Sequence, residues 1–337
     1  MEDCSGLEIY REAIGIDMAC PLASYKDCFE LWIRGGATSI AVTVTEEIED
    51  DIAPAIQKTA AWLQRIESGS HRLLLVRSVE DIYRAKREDR LGIMMAFQNT
   101  RMLGKDLNMI RVYYQLGARV IQLCYNTRND VGDGCAERTD AGLSIFGESA
   151  IREMERVGIA VDLSHTGYRT TMEAMEVCTK PPIFSHSNAK ALCDSRRNIT
   201  DDQIRSIARK GGVIGLTGYP GFLGRRHPSM NDLLDHADHI IKVAGIDHVG
   251  LGIDYYEGMA GIADPKEARE LYDRFIAAGT WAKEEYPPPP WHYPQGIDRP
   301  DTLYNIGESM KKRGYSRDNM RQLLGGNWVR VLGETWR

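Results

Sequence analysis

The chain has 337 residues, 43% of them hydrophobic, 27% charged, with a formal net charge of −6. That is enough apolar material for a large core, whether as two ordinary domains or as one α/β barrel, which routinely uses this many residues. The acidic balance, with no basic cluster, argues against nucleic acid as the main partner.

The apolar runs, taken in chain order, predict strands at Gly15–Cys20, Ala37–Thr45, Gly92–Asn99, Arg119–Asn126, Gly158–His165, Pro182–His186, Gly212–Gly218 and His248–Asp254. A further run, "RLLLVRS" at 72–78, does not fit the eight-fold pattern and reads as an accessory strand. Between the runs lie "DLNMIRVYYQLG", "GESAIREMERVG", "TDDQIRSIARKG" and "NDLLDHADHIIKVAG", each with apolar residues at helical spacing. Thr200 with Gln203 forms a capping-box pattern, and Gly117, Gly158, Gly211 and Gly245 each close a helix before the next strand. Eight strand-then-helix units with near-continuous apolar strands predict a fully covered parallel sheet, closed as a (β/α)₈ TIM barrel. No strand leads into GxGxxG or GxxxxGK[ST], which removes the usual support for nucleotide binding. The segment 284–300, "EEYPPPPWHYPQGIDRP", is an extended proline-rich loop, followed by C-terminal helices near 301–314 and 317–334. The expectation is one domain over residues 1–337 with a C-terminal helical extension.

No window of 18 apolar residues occurs, so no membrane-spanning helix is expected. The N-terminus lacks a basic stretch followed by an apolar core, and the C-terminus lacks a hydrophobic tail, so neither a secretory signal nor a lipid anchor is expected. Seven cysteines, including Cys4, Cys20, Cys124 and Cys135, show no CxxC spacing and are odd in number, which suits reduced thiols and a cytoplasmic location.

In such a barrel the chemistry sits at the carboxyl ends of the strands. Those ends carry Cys20, Gln98 with Asn99, Tyr125 with Asn126, His165, His186 and Asp254. Neighbouring strands are about 4.8 Å apart, so His165 and His186, on the fifth and sixth strands, can reach one metal ion as neutral imidazoles. The alternative is that each is a rim residue bonded to a backbone carbonyl. Arg197, in the loop after His186, suits a substrate carboxylate through its planar fork, or else pairs with Asp194, Asp201 or Asp202. Arg196 reads as the structural partner of the two. His236 and His239 share a helix without a metal pattern, and His292 reaches the mouth only if the proline-rich loop folds over it.

The blocks "LGARVIQLCYNTRND", "GLSIFGESAIREMERVGIAVDLSH", "PPIFSHSNAKALCDSRRN" and "HVGLGIDYYEG" resemble, in order over roughly residues 90–255, the renal (membrane) dipeptidase family. The resemblance implies a (β/α)₈ barrel, often dimeric, with a binuclear zinc site that cleaves dipeptides. It implies that His165 and His186 are ligands of one metal, that Arg197 grips the substrate carboxylate, and that Asp254 lies near the nucleophilic water and the substrate amine. Three positions depart from the family. Its first strand ends in Asp-Gly-His-Asn-Asp, but here "DMACP" retains Asp17 and places Ala19 and Pro21 at the ligand positions. Its bridging glutamate aligns with Gln98, and its carbonyl-polarising histidine with Tyr125.

The resulting expectation is a dipeptidase- or amidohydrolase-like hydrolase for a small amide or peptide-like substrate bearing a carboxylate. Asp254 and Tyr125 are its catalytic candidates, and Arg197, Tyr125, Gln98 and Asn126 contact the substrate. The metal site is reduced to at most one zinc, held by His165 and His186 with Asp254 or Cys20 as a third ligand (Cys124 and Gln98 are weaker choices), or holds none. The chain is expected to be a homodimer without nucleic-acid or membrane partners. The alternatives are a metal-independent lyase or decarboxylase using the same pocket, and a non-catalytic small-molecule-binding barrel.

Overall fold

The computed structural model describes residues 5–46 and 51–336, so Cys4 lies outside the described residues. Among the described residues nine strands share one sheet: β1 (Ile16–Asp17), β2 (Ser39–Thr45), β3 (Leu73–Leu75), β4 (Leu91–Phe97), β5 (Ala118–Gln122), β6 (Ala160–Asp162), β7 (Ile183–Phe184), β8 (Val213–Leu216) and β9 (Val249–Leu251). Every pairing is parallel. Eight strands close a ring in the order β1, β2, β4, β5, β6, β7, β8, β9, and Asp17 opposite Leu251 joins its ends. β3 stands outside the ring. It pairs with the first half of β4, from Leu73 opposite Leu91, while β5 takes the second half of the same edge from Met95 onward. This is the accessory role expected of "RLLLVRS".

Alternation along each strand decides what fills the barrel. Ile40, Val42, Val44, Ile93, Met95 and Phe97 pack with the helices outside. Ala41, Met94 and Ala96 join Ile16, Val120, Ala160, Ile183 and Val213 in a second, inner cluster. Both faces are apolar because both are covered. The inner cluster also contains Trp328, from the C-terminal helix Asn327–Thr335, whose indole N–H donates to the Leu251 carbonyl at 3.1 Å.

The helices fall where periodicity placed them: Asn108–Leu116, Ile145–Val157, Asp201–Arg209 and Met230–Ala244. The Thr200–Gln203 capping box forms with both of its bonds. Gly117 and Gly158 end their helices in the left-handed region, at φ 115° and 92°, where a Cβ would be strained. The C-terminal part folds as helices Asn305–Lys312, Arg317–Arg321 and Asn327–Thr335.

The strands are shorter than their apolar runs. β6 stops at Asp162 instead of His165, β7 at Phe184 instead of His186, and β9 at Leu251 instead of Asp254. The run continues because the rim is still buried, but the ladder does not. His165 and Asp254 both adopt left-handed backbone, at φ 65° and 63°, which no extended strand can accommodate. For non-glycine residues this conformation costs free energy and clusters at functional sites.

Candidate active site at the barrel mouth

The turns beyond the strand ends aim polar side chains into the mouth. The Ser185 carbonyl packs against bare backbone, because a Cβ at Gly215 or Gly252 would lie 2.0 Å or 1.8 Å from it. The next residue, His186, is 1% exposed. Its Nε2 lies 2.8 Å from Nε2 of His165, so the two histidines are in direct contact. Tyr125 stacks on the His165 ring at 4.1 Å.

A continuous hydrogen-bonded chain runs through the pair. Asn126 Oδ1 lies 2.8 Å from His165 Nδ1, and Ser185 Oγ lies 2.7 Å from His186 Nδ1 and 2.5 Å from Asp162 Oδ2. Asp162 also accepts from the backbone N–H groups of Ser164 and Ser185. Burial pushes the Asp162 carboxyl above the usual carboxylate range. The Ser185 hydroxyl donates to Asp162 Oδ2, and the same oxygen faces His186 Nδ1. Burial, reinforced by the nearby Arg197 charge, holds both imidazoles well below their ordinary values, so both are neutral.

Arg197 is 3% exposed. Its Nη2 donates to the His186 carbonyl at 3.3 Å and its guanidinium lies over Phe222 at 5.0 Å, while its buried Nε has no partner among the described residues. None of the three nearby aspartates holds it. Asp194 pairs with Lys190, Asp202 with Arg205 and Asp201 with His239. Arg196 is the structural one, forming a two-point pair with Glu285 at 2.7 and 2.9 Å. Asp254 is 8% exposed, and its carboxylate makes no hydrogen bond among the described residues. Burial chiefly, opposed by Arg197 and reinforced by Asp17 and Glu46, pushes its carboxyl well up. A cavity of about 180 Å³ reaches His165 and Arg197 from outside, past Cys135 and Lys190.

Other expected residues lie elsewhere in the network. Gln98 is at the rim, where its carbonyl accepts from Gln122 at 2.6 Å. Cys20 is fully buried, with its thiol directed at the Asp17 carbonyl at 3.7 Å, and burial followed by the Asp17 charge pushes it well above the ordinary thiol value. That is the reverse of an activated thiolate. Among the described residues no three His, Cys, Asp or Glu side chains gather as a metal group. Cys124 directs its thiol to Asn129 Oδ1 at 3.5 Å. His236 is a packed residue that accepts from the Ala189 N–H, and burial lowers it to about 4. The His292 ring lies tilted against His227 at 4.2 Å, while Tyr293 of the same loop donates to the Asp254 carbonyl.

Four mouth residues were not foreseen from sequence. Glu46, directly after β2, accepts from Tyr25 and Tyr256 at 2.6 and 2.9 Å. Tyr219, after β8, has a buried hydroxyl without a partner among the described residues. Both follow an apolar run, so the rule that found His165 applies to them as well. Trp281 and Tyr286 arrive from the segment after helix Pro265–Ala277. The Trp281 indole N–H donates to Tyr125 Oη at 3.0 Å, and Tyr286 Oη lies 2.8 Å from Asn126 Nδ2. No local pattern marks them, since only the folded path of the loop brings them to the rim.

The sequence profile of the membrane dipeptidase family (peptidase family M19) matches residues 25–286. The chain belongs to that family. An amidohydrolase from Pseudomonas aeruginosa has the same fold, with a TM-score of 0.86 and 30% identity over 99% of each chain. Dipeptidase tcpJ of Claviceps purpurea is 29% identical over 330 residues, 93% of this chain and 70% of that protein. An uncharacterized dipeptidase of Schizosaccharomyces pombe is 35% identical over 206 residues, 58% of this chain and 50% of that one. The chain thus spans about half the length of some curated relatives it matches. Among the described residues no helix is long and apolar enough to cross a membrane.

The family is metal-dependent, and the donor set here does not fit a two-metal centre. Ala19 and Pro21 carry no ligand atom, and Gln98 offers a neutral amide. The two imidazole nitrogens that converge are 2.8 Å apart, closer than the about 3.3 Å that two ligands of one tetrahedral zinc require. An ion between them would have to part the rings.

Proposed function

We propose that the chain is a hydrolase of the dipeptidase–amidohydrolase type acting on a small amide or peptide-like substrate with a free carboxylate. The observation that carries this reading is Arg197, an enclosed guanidinium with an unpaired Nε beside the histidine pair. A buried cation without a carboxylate partner is costly, and a substrate carboxylate would relieve that cost through a charge-assisted bond. Asp254, with an unbonded and proton-attracting carboxylate, is the residue assigned to take the proton or hold the substrate amine. Tyr125, Gln98 and Asn126 border the same mouth as substrate contacts. We further propose at most one zinc per chain, at His165 and His186, together with a homodimeric state and a cytoplasmic location. The direct contact of the two histidines favours a second reading, a metal-independent lyase or decarboxylase in which His165, His186, Asp254 and Tyr125 exchange protons.

The test combines metal analysis of the native protein with a screen of dipeptides and acylated amino acids, before and after chelation. The expected result is no more than one zinc per chain and turnover of some carboxylate-bearing amide. Ordinary L,L-dipeptides should fall below the usual enzyme range of about 10⁴–10⁸ M⁻¹s⁻¹ in kcat/KM, because losing even one electrostatic stabiliser typically costs about 10²–10³ in rate. Two stoichiometric metals with efficient dipeptide cleavage would overturn the reduced-site reading. Non-hydrolytic turnover that survives chelation would establish the second reading.

A further inference from the structure

The segment from Thr280 to Tyr286 touches the mouth at two adjacent residues. Trp281 donates to the Tyr125 hydroxyl, and Asn126 Nδ2 lies 2.9 Å from the Thr280 carbonyl and 2.8 Å from Tyr286 Oη. The segment is itself anchored: Arg196 holds Glu285 in a two-point pair, and Tyr286 stacks on Trp281 at 4.5 Å with planes 3° apart. Asn126 is 1% exposed, so every atom of its amide must find a partner inside the protein.

A backbone carbonyl can only accept, so the amide atom facing Thr280 must be the NH₂ group, and the opposite face must be the oxygen. A flipped amide would set two oxygens against each other at 2.9 Å. With the oxygen facing the ring 2.8 Å away, His165 Nδ1 must carry the proton. A neutral imidazole protonated at Nδ1 keeps its Nε2 lone pair, and that atom faces His186. We propose that Tyr286 is a positioning residue: with the Thr280 carbonyl it fixes the Asn126 amide, and through Asn126 it holds His165 as the Nδ1–H tautomer with its Nε2 lone pair aimed into the mouth. A segment distant in sequence thereby sets which nitrogen of His165 is offered to a proton or an ion. The inference stands whether or not the hydrolase reading does, because it concerns the tautomer and not turnover.

The experiment is ¹⁵N NMR of the histidine rings in the full chain, as purified and after dialysis against a chelator. The expected spectrum shows His165 with a protonated Nδ1 and an unprotonated Nε2 in both samples. Tyr286→Phe keeps the ring stack on Trp281 and removes only the hydroxyl. In the dialysed sample it should raise the Nε2–H population about five-fold, the size of one neutral hydrogen bond. Asn126→Leu, which removes the acceptor outright, should make Nε2–H the main form. Wild-type protein with His165 protonated at Nε2 would overturn the proposal, even if a variant failed to fold. A folded Tyr286→Phe variant with an unchanged tautomer ratio would remove Tyr286 from it. A merely structural role would move the melting temperature and leave the tautomer ratio unchanged.

Discussion

Arg197 shows how much one side chain of this rim can be asked to do. Its guanidinium is enclosed, touches the His186 carbonyl, and leaves Nε without a partner among the described residues. Arg197→Lys would keep the charge and lose the fork. Binding of a small carboxylate ligand, such as a glycine-terminated dipeptide followed by titration calorimetry, should weaken about 10- to 100-fold, the range for one or two charge-assisted bonds. Equal affinity in the variant would show that the carboxylate is held elsewhere. The arginine was legible in sequence because its position in "SRRN", beyond a strand ending in histidine, matches a family pattern. Its lack of an aspartate partner was not legible. Three aspartates lie within eight residues of it, and only the fold shows that each is taken by another side chain.

At the scale of elements, Asp17 is the joint between β1 and the turn after β9. Its Oδ1 accepts from the Ile253 N–H at 2.8 Å, and Trp32 Nε1 lies 3.4 Å from Oδ2. Sequence reading treated Asp17 as the remnant of a ligand motif, whereas the structure gives it a backbone N–H to hold one residue before Asp254. Burial pushes its carboxyl up to about 6. An acid whose folded value lies above its unfolded value of about 3.9 contributes stability that is fully present below that lower value. The contribution is lost as pH rises through about 6. In Asp17→Asn, which does not titrate, stability relative to the wild type should therefore improve between pH 4 and pH 7, by up to about 3 kcal/mol. Urea unfolding at several pH values measures the difference. The histidine pair, held neutral by burial, loses stability in the opposite direction as pH falls below about 6.5, but both proteins share it. A difference that stays flat across the range would mean that Asp17 is not the buried acid described here.

At the scale of the whole molecule, the barrel is closed by a residue from nearly the end of the chain. Trp328 is fully buried among residues of the inner cluster, and Gly250 and Gly215 leave it room, since a Cβ at Gly250 would come within 2.4 Å of its indole nitrogen. Trp328→Ala should cost about 3–5 kcal/mol, in line with large-to-small changes of aromatic core residues, with a matching drop in the urea midpoint. A loss below about 1 kcal/mol would show that the C-terminal helix is an appendage and not part of the core. The proline-rich segment plays the matching part at the other end. Read alone it is only an extended loop, yet Tyr293 donates to the Asp254 carbonyl and Trp291 pairs with Met259. The carboxyl end of the barrel is thus partly roofed by residues that local pattern leaves without a role.

The sequence by itself determined the barrel, its accessory strand, the helices with their caps, and the two histidines that meet. Each of these rests on short-range physics: period-two and period-3.6 burial, turn chemistry, and the rule that polar residues at the ends of buried strands face a common mouth. The tertiary structure alone decided where the strands stop, because left-handed backbone at His165 and Asp254 is set by the packing of the rim and not by residue type. It also decided that Cys20 turns its thiol to the Asp17 carbonyl, and that Trp281, Tyr286 and Trp328 complete the two ends of the barrel. Contacts of that kind span up to about 160 residues of chain or unite opposite ends of the ring, and no local pattern encodes them, since hydrogen-bond partners and burial follow from the closed path of the whole chain.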